Sequence, residues 1–278
     1  MKKFIHEHFN NINQLLSALQ TRPNNEVMRG RHSSEKTGDA DWNGTENWDD
    51  AISLFRNGYT EILPRIREGM QKNAKVYHQY SALPKALPRN RPVGYIPNVP
   101  NAIMNLPDSM IHVERTPQKR KTLSLIYCES GSACENVEFF IKAGIAVCTA
   151  LNIVEMKGIQ TRLSIGFMTA IEREEAMCPT LTIKDFGQRF DLQKICFPLA
   201  HPSMFRRIGF KYLETCPEVA EDGWDCGYGR PLTDIDVLKE KLGIDDERVF
   251  LLNTHWVREH DYDVKAILEY FKVVKGEG

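Results

Sequence analysis

The sequence predicts an α/β fold: a three-layer sandwich with a mostly parallel sheet over residues 121–278, preceded by N-terminal helices in 1–80 and a proline-rich extended arm in 81–120. Three observations predict it. Residues 122–128 are a near-continuous apolar run of strand length, as in strands covered on both faces. A stretch of helical period follows, from about 135 to 156. Strand-like and helix-like segments then alternate to the end of the chain.

Taken in order, Phe4, Ile5, Phe9, Ile12, Leu15, Leu16 and Leu19 fit one face of a helix over 4–20. Residues 21–41 are polar and glycine-bearing and read as a mobile linker or exposed loop. Asn47 or Thr45 caps a helix through Ala51, Ile52, Leu54 and Phe55 that stops at Asn57 and Gly58. The next helix spans 59–79, with Pro64 marking a kink or a late start. Prolines 84, 88, 92, 97, 100, 107 and 117 then bias the backbone toward extended structure. The apolar residues among them (Val93, Tyr95, Ile96, Val99, Ile103, Met104) predict an arm docked on a scaffold, with a short helix at 101–104.

In the α/β half, the strand at 122–128 breaks at 129–132. The helix at 135–156 ends at Gly158, and a strand at 159–171 completes a right-handed crossover with parallel strands. Residues 180–184 read as a polar edge strand. Residues 192–199 read as a buried strand with Pro198 at its end. His201, Pro202 and Ser203 open a helix through Met204, Phe205, Ile208 and Phe210. A helix at 232–242 capped by Thr233 or Asp234, a strand at 248–253 and a helix at 262–274 close the chain.

Composition limits the function classes. With 36 basic and 37 acidic residues, no whole-molecule field draws in nucleic acid or an anionic membrane. No apolar run reads as long enough to span a bilayer, and the charged start lacks the apolar stretch of a secretory signal. Seven cysteines without a Cys-x-x-Cys pair, several of them in apolar stretches, behave as reduced core cysteines of a cytoplasmic protein. The Asn43-Gly44-Thr45 sequon reads as a turn.

Ligands of an open parallel sheet bind where strands end. Four loops should gather there: 128–133, 169–175, 200–203 and 253–256. Candidate binding residues are Glu129, Ser130, Ser132, His201, Arg206, Trp224 and Tyr228. Arg206 and Arg207 suit an anion or a partner carboxylate, or else a solvated helix face. Trp224, Cys226 and Tyr228 lie in a glycine-bearing loop that either contacts a partner or packs on the core. Cys128 beside a helix start, with His201 or His255, is the one Cys/His arrangement that suits nucleophilic catalysis. No P-loop, dinucleotide fingerprint or nucleophile elbow occurs.

A strand ending in Cys128-Glu129-Ser130-Gly131-Ser132 before a long helix resembles the first segment of von Willebrand factor A-type (vWA) domains. The resemblance implies a vWA- or Rossmann-like sandwich. That family places Asp-x-Ser-x-Ser here, so Ser130 and Ser132 match its metal-holding serines and are the candidate ligands for Mg or Ca. Cys128 stands where the family has Asp, and a thiol is a poor ligand for such hard cations. Ser130 and Ser132 equally suit helix capping.

The arrangement of 42–45, 51–58 and 96–100 before an α/β half is also similar to uncharacterised proteins of tailed bacteriophages, which would place it in a host cytoplasm. The expectation is a non-enzymatic protein-binding or assembly module without a cofactor, with a protein partner or self-association and no membrane or nucleic acid. The alternative is a hydrolase or transferase using a divalent cation or a Cys/His site at the same edge.

Overall fold

A computed structural model describes residues 4–25, 34–73, 88–113, 121–172, 175–221 and 228–273. In chain order these form β1 (Phe4–Ile5), β2 (His8–Phe9), α1 (Ile12–Thr21), α2 (Ala40–Asn43), α3 (Trp48–Asn57) and α4 (Leu63–Lys72). Next come β3 (Pro88–Arg91), β4 (Ile96–Pro97), α5 (Val99–Ile103), β5 (Met110–Val113), β6 (Thr122–Glu129), α6 (Val137–Met156), β7 (Gln160–Phe167), β8 (Thr169–Glu172), β9 (Glu175–Met177) and β10 (Thr180–Lys184). The chain closes with α7 (Leu192–Ala200), a π-helical segment (Met204–Gly209), α8 (Phe210–Thr215), α9 (Pro217–Glu221), α10 (Ile235–Lys241), β11 (Val249–Asn253), α11 (Thr254–Glu259) and α12 (Val264–Tyr270).

The fold is mixed α/β, around a five-stranded sheet ordered β11-β6-β7-β10-β2. Strands β11, β6 and β7 are parallel, β10 runs antiparallel to β7, and β2 lies parallel to β10 at the margin. Strand β6 is therefore interior. Leu123, Leu125 and Tyr127 alternate onto the face that joins the main core, where α6 and α7 pack. Cys128 falls on the other face with Cys178, Met168, Ala170, Ala176, Leu238 and Leu251, under β8, β9 and α10. Below that cluster Ser124, Ile126, Arg162, Ser164, Thr182 and His8 line an open trough of about 360 Å³. Among the described residues the second face is thus covered only near the strand tips.

Several elements follow local chemistry. Asn47 caps α3 by accepting from Asp50 N, and Asn136 caps α6 by accepting from Phe139 N; such caps contribute about 1 kcal/mol each. Pro64 sits in the first turn of α4, so the helix starts late rather than kinking. Residues 74–79 of the expected helix lie outside the described residues.

Other elements depart from expectation. Residues 4–9 are not helical: Phe4 and Ile5 pair with Ala176 and Met177, and His8 and Phe9 with Thr180 and Leu181. Sheet pairing outbids the helical period there, and α1 begins only after Asn11 supplies a cap. Residues 192–199 form helix α7, capped by Asp191, with Pro198 in its last turn. An apolar run buried all round carries no period to separate strand from helix. Helix α11 replaces the expected loop after residue 253. Residues 169–171, expected both as the end of the strand over 159–171 and as the start of a turn, lie in a separate strand β8, because residues 175–177 return antiparallel beside them.

The arm residues 88–113 are a small antiparallel sheet, β3-β5-β4, joined by α5. They were expected to dock, yet Val93, Tyr95 and Ile103 are each about 80% exposed. Helix α6 is, among the described helices, long and apolar enough to cross a membrane, against the expectation that no run was. Its Glu138, Lys142 and Glu155 broke the run to the eye. Most of it is buried in the core.

The main core joins Leu15, Leu19, Phe55 and Ile66 of the N-terminal elements to Leu125, Leu163 and Phe271 of the α/β half. Helices α6 and α7 approach closely at Gly144, where a Cβ would stand 2.3 Å from Leu199 O and 2.4 Å from Ala200 Cα. Gly144→Val should therefore lower stability by about 1–3 kcal/mol or more, read as a lower urea midpoint, whereas Gly158→Ala at the exposed helix end pays only for its positive φ.

Candidate functional site

The site is built by two neighbouring arginines. In the π-helical segment Arg206 and Arg207 are both about 99–100% buried, and π turns recur at functional sites. Arg207 donates from Nε to Thr45 Oγ1 at 2.7 Å and from its two terminal nitrogens to the carbonyls of Ser34, Lys36 and Thr45 at 2.7–2.9 Å. A relay continues from there. Thr45 Oγ1 can donate to Ser203 Oγ at 2.9 Å, and Ser203 Oγ donates to Asn43 O at 2.6 Å. Gly44, at φ +82°, closes this turn; a Cβ there would stand 2.6 Å from Pro202 Cγ. The expected linker at 21–41 is therefore anchored from Ser34 onward, and residues 26–33 lie outside the described residues.

Arg206 holds the neighbouring loops. It donates to Trp42 O at 2.6 Å, Glu135 O at 2.6 Å and Ser132 O at 3.2 Å. Its guanidinium carbon lies 4.2 Å from the Trp42 ring centre and 4.9 Å from that of Phe140. Burial pulls its pKa down to about 10, so it stays charged at neutral pH. It is a structural cation turned inward, not the solvated or anion-seeking group that the sequence suggested.

Beside Arg206 opens a cavity of about 240 Å³. Trp42, Phe205, Phe210 and Tyr228 supply aromatic walls, Gly131 and Ala133 the β6–α6 loop, and Thr169 the start of β8. Tyr228 stacks on Phe210 with ring centres 3.8 Å apart, and its hydroxyl donates to the buried Glu214 carboxylate. Trp42 Nε1 donates to Ala133 O at 2.9 Å. Arg230 stands on the rim with an exposed side chain, its main chain exchanging hydrogen bonds with Ala170. Two of the expected strand-end loops, 128–133 and 169–175, meet here.

The expected Cys128–His201 or Cys128–His255 pair does not form. Cys128 Sγ faces Cys178 Sγ at 3.9 Å, and that contact and burial push its thiol pKa well up. His201 caps a helix end rather than a strand, so it lies in the helical core, stacked 5.0 Å from Phe197 and edge-on to Tyr59 at 4.8 Å. Burial drives its pKa down to about 3. His255 packs against Phe139, and its Nδ1 accepts from Arg258 at 3.1 Å. Trp224 lies outside the described residues. Ser132 Oγ accepts from Cys134 N at 3.4 Å, a turn contact.

A second polar group sits at the tips of β6 and β11. The Glu129 carboxylate, Ser130 Oγ, Tyr127 hydroxyl and His255 Nε2 are buried and have no hydrogen-bond partner. Thr254 Oγ1 ties the two strand tips, accepting from Ser130 N at 3.2 Å. Burial pushes the Glu129 pKa well up, favouring the neutral acid.

The vWA-type cation does not suit these donors. Cys128, at the family's Asp position, points its sulfur to the opposite sheet face, and Ser132 Oγ serves its own loop. Among the described residues no three His, Cys, Asp or Glu side chains group as metal ligands. The six described cysteines are all free, and only Cys134 is exposed.

Sequence reasoning missed Trp42, Phe205, Phe210, Arg230 and the inward turn of Arg206. The signal for Trp42 was its place in a glycine turn, and for Arg230 its place at the end of the glycine- and aromatic-bearing 224–230 loop.

Two pH effects of opposite sign follow. His201, with a lowered pKa, contributes stability present above pH 6.5 and lost as pH falls toward 3, at roughly 1.4 kcal/mol per pH unit. Glu129, with a raised pKa, contributes stability full below pH 4.5 and lost as pH rises. In urea unfolding across pH, His201→Gln should flatten the acid limb and Glu129→Gln the alkaline limb. Melting with added magnesium or calcium should show no shift, since native-state binding would raise Tm.

No curated protein and no solved structure matches the chain. A family model described as "Domain of unknown function (DUF7192)" matches residues 2–275, and the chain belongs to that family.

Proposed function

We propose that this protein is a non-enzymatic binding module, on a vWA-like three-layer scaffold, that seats part of a protein partner in the cavity beside Arg206. One observation carries this reading. The cavity pairs aromatic walls with an exposed guanidinium, while no Asp, Glu, His, Cys or Ser is among the described residues that line it. Its two hydroxyls are both committed, Thr169 Oγ1 to Tyr228 O and the Tyr228 hydroxyl to the Glu214 carboxylate. Among the described residues the lining therefore holds no nucleophile and no base, and stacking plus charge pairing remain. The walls are rigid, because Trp42 and the 131–135 loop hang on Arg206. A preorganised aromatic pocket with a rim arginine has the composition of an interface hot spot. The occupant it fits is an aromatic or aliphatic side chain next to a carboxylate.

A hydrolase or transferase is the second reading, and one observation favours it. Glu129, Ser130 and His255 present unpartnered polar atoms at the strand tips, and perturbed buried acids gather at functional sites. In that reading Glu129, held neutral, would be a proton donor. It is the weaker one, because those atoms are sealed from solvent.

The test is a panel of peptides with an aromatic residue beside a carboxylate, read by fluorescence polarisation. Arg230→Glu and Trp42→Ala should each weaken binding about tenfold or more, the equivalent of 1.4 kcal/mol. Lys72→Glu, on a distant helix, should not. Peptide binding that ignores both pocket changes would sink the reading, as would turnover lost on Glu129→Gln.

A further inference from the structure

Of the eight large apolar side chains that are exposed among the described residues, seven lie between Val93 and Leu106; the eighth is Met156. Residues 93–106 hold no charged residue, in a chain that is 26% charged. The unit that carries them is ordered by its own bonds. Strand β5 pairs with β3 and β4, Gly94 lies where a Cβ would be 2.4 Å from Ile111 O, and Asn98 caps α5. Tyr95 stacks on His112 at 5.9 Å. The apolar residues are thus fixed outward by the fold.

Their exposure is large. At roughly 150–200 Å² for a fully exposed large apolar residue, the fractions amount to on the order of 800 Å². The largest apolar patch on a typical monomer is about 300–600 Å². A standard stable interface takes about 800 Å² from each partner.

We propose that the 88–113 unit is a homodimer interface, in which Tyr95, Ile96, Val99, Ile103 and Met104 of one protomer pack on the same face of its partner. A two-fold contact brings a patch against itself. A face without charge meets its own copy without repulsion, and the area one copy offers is the half that a standard interface needs. A lipid surface is the poorer match, because interfacial segments anchor through Lys and Arg interleaved with the apolar residues, whereas 93–106 contains neither and the unit's Arg89 and Arg91 lie on β3, separated from β4 by β5. A different protein would need a selecting charge pattern that this face lacks. The interface stands apart from the Arg230 cavity and does not rest on the ligand proposed for it.

The test is sedimentation of the full chain between about 1 and 100 µM, because interfaces of this size range from micromolar to picomolar. The expected result is a dimer that persists in high salt. Amide exchange over 93–106 should slow with concentration in the wild-type chain. The double change Tyr95→Glu, Ile103→Lys should give a monomer with wild-type Tm, since both side chains are about four-fifths exposed. Arg230→Glu should stay dimeric, which separates failure here from failure of the pocket reading. A monomer at 100 µM overturns the proposal, including one that sediments with phosphatidylcholine–phosphatidylserine vesicles. So does a dimer whose protection lies outside 93–106 or that survives the double change.

Discussion

Two buried cations in a row hold this molecule together. Arg206 and Arg207 project from one widened helical turn into the N-terminal segment, where they meet main-chain oxygens and a threonine hydroxyl rather than carboxylates. A buried guanidinium left without acceptors costs several kcal/mol. The segment from Ser34 to Thr45 is therefore bound to the fold by seven donated hydrogen bonds shared with the 132–135 loop. Trp42 is held on the cavity wall by Arg206, which takes its carbonyl and ring, and by Ala133 O, which accepts from its indole N–H. The N-terminal region and the α/β half are joined by this constraint as much as by shared apolar core.

The parallel centre of the sheet was legible in the sequence because its signals are local. The run of 122–128, the 135–156 helix and the caps, narrowed to Thr45 or Asn47 and to Thr233 or Asp234, all declare themselves within a few residues. What stayed illegible depends on distant partners. Phe4 and Ile5 look helical until Ala176 and Met177 arrive beside them. Ile195, Cys196, Phe197 and Leu199 are apolar on all sides, so no periodicity reveals that they form a helix. That one error displaced His201 from a strand tip into the core.

The site shows the same division. Tyr228 and the 128–133 loop could be marked as candidates, because glycines and aromatics stand together there. The orientation of Arg206 could not, since an Arg-Arg pair reads as a solvated face unless the carbonyls that receive it are known. Those carbonyls lie 71, 74 and 164 residues earlier in the chain.

The end of strand β6 explains why resemblance to a metal-binding loop need not bring metal chemistry. Successive strand residues face opposite sides, so Cys128 and Glu129 cannot serve one centre. Cys128 turns to Cys178, where a thiol packs as a small apolar group and ionisation is suppressed. Glu129 turns beneath the helices, where burial favours the neutral acid. A hard cation needs ionised oxygens on one side of the chain, and this register separates the Glu129 carboxylate from the position where such a ligand would stand.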